Sequence, residues 1–517
     1  LAAATVSWDG GGDGVSWNDP ANWSANQLPG RGDTVTVPGA FAGVTILHAT
    51  GSTSIASFDG YRLHLAGGSF TVAGGCTIRS RLEYSGGTLA AMPLLNQATL
   101  VGSGGASPVT FVAARSSTLE GVLAEGQVLS VRGGALLFGA ELLVAAGAVN
   151  EGTIVLETVN GGYSSVMTVT AGSAFANRGA IVAAVGTGGP RTISGDLLNQ
   201  GLLQVDAGVG LVQNGSLRNE GTVTVGTGGS LVLSNAAGRT VEQVAGSIGG
   251  VGATLVNLGA FRITGGSIDR EIIVRNASIE VGEAVVGEAL VIAQVDCTLV
   301  TNDSPTTTVW VQGGGAGFSA NLTAAPGAVN EGSIRMESIA GGFTCTLTVP
   351  VGEAFVHRGT LIAGTGTGGV RTITGGGSFR NEGTVFPSVA LPLTVGVPFI
   401  QTPDGVLRVR FEGTVPGTWS RLQVNAPASI AGTLAIERGP AFSPQPGAGF
   451  VCMTGGPISG TFANVGGCGL SAEVVVRTTT VTCFVGDLAC PGDLDLDGQV
   501  SAADLTILLG AWGPCGG

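Results

Sequence analysis

The 517-residue chain predicts an all-β fold, a right-handed parallel β-helix solenoid, and three observations carry that prediction. A short phrase, Asn-x-Gly followed by an apolar residue, returns along the chain. A longer block repeats at a fixed offset. Between glycine turns, apolar and polar residues alternate.

The phrase reads Asn150-Glu-Gly-Thr-Ile, Asn177-Arg-Gly-Ala-Ile, Asn199-Gln-Gly-Leu-Leu and Asn219-Glu-Gly-Thr-Val, at spacings of 27, 22 and 20 residues. It returns at Asn257, Asn330 and Asn381, with a variant at His357-Arg-Gly and a weaker copy at Asn96. A period of about twenty residues is that of one solenoid coil. The larger duplication has an offset of 180 residues: Gly147-Ala-Val-Asn-Glu-Gly matches Gly327-Ala-Val-Asn-Glu-Gly, and Gly186-Thr-Gly-Gly-Pro-Arg-Thr-Ile matches Gly366-Thr-Gly-Gly-Val-Arg-Thr-Ile. No insertion separates the copies, as expected where a loop cannot lengthen without disturbing the next coil.

Thr153-Ile-Val-Leu-Glu stands in the first copy where Ser333-Ile-Arg-Met-Glu stands in the second. The positions that stay apolar are two apart, the period of a strand with one buried face. Parallel strands joined by crossovers favour the right hand. An asparagine amide both donates and accepts, so Asn150, Asn177, Asn199, Asn219, Asn257, Asn330 and Asn381 are expected to bond along the axis as a ladder. The glycine two places on is expected to free the following bend.

Composition sets bounds. Glycine numbers 91, but aliphatic residues are plentiful, so the chain is neither collagen-like nor disordered. Mean hydropathy is +0.43, yet no apolar run is long enough to span a bilayer. Net charge is −13 and all 22 basic residues are arginine, with no basic stripe to suit nucleic acid. The chain starts at Leu1, so a signal peptide is expected to have been cleaved from a secreted protein. Five of the eight cysteines follow residue 450, which suggests disulfides in an extracellular compartment.

Four segments are expected. Residues 1–34 carry Trp8, Trp17 and Trp23 and form an arm and cap over the first coil; sugar stacking is the competing reading of the tryptophans. Residues 35–395 form the β-helix, with about sixteen coils. In residues 396–486 the phrase stops and longer alternating strands appear, read as an antiparallel β-sandwich or a widened cap. Cys452 and Cys468 are its disulfide candidates, with Cys483 competing. Cys297 and Cys345 either face each other or are buried free thiols. Residues 487–517 form a small EF-hand-like module.

In that module Asp493, Asp495 and Asp497 fit positions 1, 3 and 5 of a twelve-residue calcium loop, with Gly498 at the sharp bend. Gln499 offers its carbonyl, Ser501 a hydroxyl or a water, and Asp504 the last carboxylate. Four carboxylates so close repel one another unless a hard cation such as Ca²⁺ sits between them. Cys490 and Cys515 bracket the loop and are expected to bridge.

The tryptophan-rich opening, ending Pro29-Gly-Arg-Gly-Asp-Thr-Val, resembles that of secreted bacterial β-helix surface proteins of the autotransporter-passenger kind. The calcium loop with Leu505-Thr-Ile-Leu-Leu behind it resembles a dockerin repeat, present once where dockerins carry two. The chain is read as a secreted, non-catalytic structural protein that associates with itself into a surface fibre, through the strand edges at the ends of its stack. The alternative is an adhesin or carbohydrate-binding scaffold tethered by the calcium module, with extracellular polysaccharide as partner. A polysaccharide lyase or hydrolase needs clustered acids with basic residues on one face, and this chain has no lysine and only His48, His64 and His357.

Overall fold

In a computed structural model, residues 4–103, 107–134, 138–233, 236–466, 472–485, 502, 505 and 506 are described. The chain is a parallel β-helix of about 17 turns, with almost no helix among the described residues. It divides into two compact units, residues 1–260 with 266–270, and residues 261–265 with 271–517.

In the first unit the early coils carry long strands, such as Ser57–Leu65 and Cys76–Tyr84, and the later ones three short strands. Asp196–Asn199, Leu202–Val205 and Gly210–Asn214 make one coil, and each strand pairs in parallel with its counterpart in the next: Leu217–Asn219, Thr222–Val225 and Ser230–Leu233. Alternation of apolar and polar residues turns every second side chain inward. The inward residues stack in register, as Leu129, Ile154, Ile181, Leu203, Val223, Ile248 and Ile268 do, all buried. A second buried column, Val131, Leu156, Ala183, Val205 and Val225, runs beside it on the same wall, and burying each branched aliphatic side chain stabilises the fold by about 1.5–3 kcal/mol.

The second unit repeats the plan. Val309, Ile334, Leu361, Val385, Leu407 and Leu434 form the matching column. On the adjoining wall Phe355, Phe379 and Phe399 lie one above another, with the last two rings 6.0 Å apart and 10° from parallel.

Three expectations need correction. The β-helix does not stop at residue 395: Leu393–Val395, Phe399–Gln401 and Val406–Phe411 pair in parallel with later strands, and the stack runs to Asn464–Gly466. Among the described strands, antiparallel ladders join Gly449–Gly455, Ala472–Val476 and Thr480–Val485. The longer strands around residue 410 are longer coil walls, and alternation alone cannot separate parallel from antiparallel strands.

The second correction concerns the opening residues. Thr5–Ser7 is not a loose arm, because it pairs in parallel with Thr34–Thr36. Leu1 to Ala3 lie outside the described residues. The three tryptophans are buried against one another, Trp8 and Trp17 each meeting Trp23 edge-on at 4.8 and 4.6 Å. The Trp23 indole N–H donates to the Trp17 carbonyl at 2.8 Å. Their burial leaves no ring face for a sugar.

The third correction is the disulfide. Cys452 bonds Cys483, not Cys468, because the antiparallel strands Gly449–Gly455 and Thr480–Val485 place those two side chains together. Cys468 lies outside the described residues.

Candidate functional site

The repeated corner is built from three columns, one for each position of the phrase. The first is buried. Asn150 Nδ2 donates to Asn177 Oδ1, Asn177 to Asn199, Asn199 to Asn219, and Asn219 to Gln243 Oε1, every bond 2.7 Å long. The second amide hydrogen of each asparagine goes to a backbone carbonyl of the following coil, such as Ala180 from Asn150 and Leu202 from Asn177. Each backbone carbonyl of Asn150, Asn177 and Asn199 accepts two N–H groups of the next coil, Arg178 and Gly179 in the case of Asn150. A buried amide in this corner has its donors used, which is what makes it tolerable in an apolar core.

In the second unit the ladder runs Asn302 to Asn330 at 2.8 Å, Asn330 to His357 Nδ1 at 3.1 Å, and Asn381 to Gln401 at 3.4 Å. Asn257, which carries the phrase, is not a rung. It closes the strand Ala253–Asn257 on another wall, and Gln243 holds the place after Asn219. Asn302, Gln243 and Gln401 are rungs without the phrase. Their only advance signal is an amide side chain at a coil spacing.

The second column is the variable middle residue, which faces solvent. Glu151, Arg178, Gln200 and Glu220 pair in succession across coils, Arg178 with Glu151 at 3.6 Å and Gln200 with Glu220 at 3.0 Å. Glu331, Arg358 and Glu382 do the same at 2.9 Å each. The Arg380 guanidinium, and then Arg358, hold the Glu382 carboxyl below its usual range. Gln200 and then Arg218 do so for Glu220. Exposed pairs of this kind contribute about 0–1 kcal/mol each, so they set register more than stability.

The third column is glycine, and its reason is not the one expected. Gly179, Gly201 and Gly221 do not have positive φ. Each lies so close to the coil before it that a Cβ would fall under 3.0 Å from the carbonyl oxygen of Gly152, Gly179 or Gly201. Gly359 and Gly383 stand in the same relation to Gly332 and Gly359.

The histidines are engaged in the fold. His48 is buried, bonding the Gly67 carbonyl and Thr53 through its two ring nitrogens, and burial lowers its pKa. His357 sits in the ladder with Nδ1 accepting from Asn330 and Nε2 donating to the Thr384 carbonyl at 3.2 Å, and burial pushes its pKa down to about 4. His64 bonds Ser85 at 2.8 Å. Two buried arginines, Arg191 and Arg371, occupy equivalent places in the duplication. Each guanidinium donates to three carbonyls of the preceding glycine loop: Ala184, Gly188 and Gly189, or Thr365, Gly368 and Gly369.

Cys297 and Cys345 do not face each other. Leu322 and Leu347 follow Cys297 in its column, while Cys345 stands beside Ala320 and Arg371. With Cys76 they are buried free thiols, and burial raises the Cys76 pKa to about 12 and that of Cys297 to about 11. Of the five Asn-x-Ser/Thr sequons, at Asn22, Asn214, Asn276, Asn302 and Asn321, those at Asn22 and Asn302 are buried. The metal candidates Asp493, Asp495, Asp497, Gln499, Ser501 and Asp504, and the pair Cys490 and Cys515, lie outside the described residues. No helix among the described residues is long and apolar enough to cross a membrane. The chain matches no family model, no curated protein and no solved structure.

Proposed function

We propose that this chain is a non-catalytic extracellular structural protein whose stacked coils associate end to end into a surface fibre. One observation carries the reading: side chains that a β-helix enzyme would use for chemistry are spent on hydrogen bonds and ion pairs within the fold. His48 and His357 are buried in hydrogen bonds, Arg191 and Arg371 are bound to backbone carbonyls, and Glu331, Arg358 and Glu382 pair across coils. The buried tryptophan cluster serves as the cap of the first coil.

Terminal strands supply the contact. The outward N–H groups of Ile458 and Ser7 already donate, to the Thr478 carbonyl and to Ser24 Oγ, whereas Asn464–Gly466 has, among the described residues, a pairing neighbour on one side. Such an edge templates a further strand. The Cys452–Cys483 bond supports an oxidising, extracellular setting.

The C-terminal stretch is a dockerin-like calcium module. Its donor set, the carboxylates of Asp493, Asp495, Asp497 and Asp504 with the Gln499 carbonyl and Ser501, is all oxygen, which suits a hard cation. Bound calcium orders a segment too small for a core of its own.

Negative-stain electron microscopy of the purified full chain tests the fibre. Filaments, reduced when Val465→Pro removes an N–H from the terminal edge, are the expected result. Isolated particles at all concentrations contradict it.

A further inference from the structure

Phe138 and Phe318 are the phenylalanines that stand exposed among the described residues, 50% and 65% open to solvent, and they lie 180 residues apart at equivalent places in the duplication. Each carbonyl accepts from the glycine four residues before it, Gly134 N–H to the Phe138 carbonyl at 2.9 Å and Gly314 N–H to the Phe318 carbonyl at 2.8 Å. Between that glycine and the ring the two sequences differ, Ala135-Leu-Leu against Gly315-Ala-Gly, so the ring is kept where its neighbours in sequence are not. At equivalent positions the copies also keep an exposed aliphatic, Val159 or Ile339, each 45% open, and a second ring, Tyr163 or Phe343. Tyr163 meets Phe138 edge-on at 6.4 Å.

We infer that these two places are stacking subsites for a neutral, hydroxyl-rich glycan, one on each unit. The chemistry around the ring selects the occupant. One face of Phe138 is covered by the Arg115 guanidinium at 4.6 Å. A depression of about 500 Å³ beside it is lined by Gln97, Arg115, Ser116, Glu141 and Ser164. Glu141 is held by hydroxyls of Ser116 and Thr168, both at 3.3 Å.

The second copy shows which of these features matter. Asn321 replaces Glu141 and accepts from Thr348 at 2.7 Å, as Glu141 does from Thr168. Val295 replaces Arg115. The ring and a hydroxyl-supported acceptor persist, while both charges are lost, so the shared ligand is uncharged. A pyranose offers that combination: an apolar face for the ring and hydroxyls for the acceptor.

Surface area argues against a protein partner. One partly exposed ring and one aliphatic side chain offer on the order of 200 Å² of apolar surface. A standard protein interface buries about 800 Å² on each partner. The same small site occurring twice suits a ligand that itself repeats. This inference rests on an extracellular setting but does not require fibre formation.

Affinity electrophoresis of the full chain in native gels containing soluble mixed-linkage β-glucan, xyloglucan or galactomannan is the test. The unsubstituted chain is expected to be retarded in at least one gel. Phe138→Ala and Phe318→Ala should each weaken the retardation, and the double variant should lose it with its circular dichroism melt unchanged. Val351→Ala, an exposed aliphatic outside both patches, should behave as the parent chain. Equal mobility of the unsubstituted chain with and without all three polysaccharides overturns the inference, as does a double variant that is still retarded. Sedimentation distinguishes the remaining outcome: self-association lost in the double variant without any retardation makes the rings a contact between copies and also overturns it. Filaments without retardation leave the structural reading standing and end this one.

Discussion

Asn330 Nδ2 lies 3.1 Å from His357 Nδ1, so the imidazole accepts from the ladder at a place where every neighbouring rung is an amide. The ring spends its N–H on the Thr384 carbonyl instead of passing it along, and Asn381 Oδ1, the next acceptor, is buried without a partner. A neutral ring fits this corner. A protonated one would turn an N–H towards the Asn330 amide hydrogens.

The first prediction concerns pH. The folded pKa of His357 is depressed to about 4 from 6.5, so the unfolded chain binds a proton between these values and the folded chain does not. Stability therefore falls as pH drops from about 6.5 to about 4, by up to about 3 kcal/mol, with no further loss from this group below that. In His357→Asn the loss should shrink by that amount, and Asn381 Oδ1 should gain a donor. Urea midpoints of both proteins at pH 7 and pH 4 check it; parallel pH profiles would refute it.

Ladder and phrase make separate predictions. Asn177→Ala leaves one amide hydrogen of Asn150 and the Oδ1 of Asn199 without a partner and should cost roughly 2–6 kcal/mol, since each unpaired buried group costs about 1–3. Asn257→Ala, on another wall and half-buried, should cost less. Equal losses in urea unfolding would mean that the phrase, not the column, matters.

Gly179→Ala drives a Cβ into the Gly152 carbonyl and should destabilise by about 3 kcal/mol. Gly162→Ala meets nothing within 4 Å at ordinary φ and should be neutral or stabilising by about 0.4–1 kcal/mol. Thermal melts of the two variants decide this.

Peptide mapping without reduction should recover Cys452 linked to Cys483. The separation of 31 residues implies a contribution of about 3–4 kcal/mol to the terminal strands. A Cys452–Cys468 peptide would contradict the pairing.

Removing calcium with a chelator should make residues 487–517 sensitive to protease while leaving the coils intact. Unchanged cleavage kinetics on chelation would remove calcium from the account.

Much of the fold is legible in the sequence because a solenoid writes its period in one residue type. Asn150, Asn177, Asn199 and Asn219 announce the corner since each bonds its successor directly. The phrase misleads at Asn257, where Leu258 and Gly259 both take positive φ, so the same letters make a turn of another kind. Gln243 and Gln401 escape notice because a longer amide does the same work from a corner without the phrase. The middle residue of the phrase reads as noise until neighbouring coils are superposed and Glu151, Arg178, Gln200 and Glu220 fall into line. The exposed pair Phe138 and Phe318 is hidden for the opposite reason: sequence shows the repeat but not which apolar residues face out.

The most direct test of in-register stacking is an engineered cross-link. Gln204 and Thr224 are Cα partners on adjacent coils and both face outward, whereas Thr222 is displaced from Gln204 by two positions along the strand. Adjacent parallel partners lie within disulfide reach, and a two-residue offset puts the Cα atoms beyond about 7 Å. Oxidation should close an intrachain disulfide in the Gln204→Cys, Thr224→Cys protein, with little in the Gln204→Cys, Thr222→Cys protein. Equal yields from both, or a bond only in the second, would contradict the stacked coil.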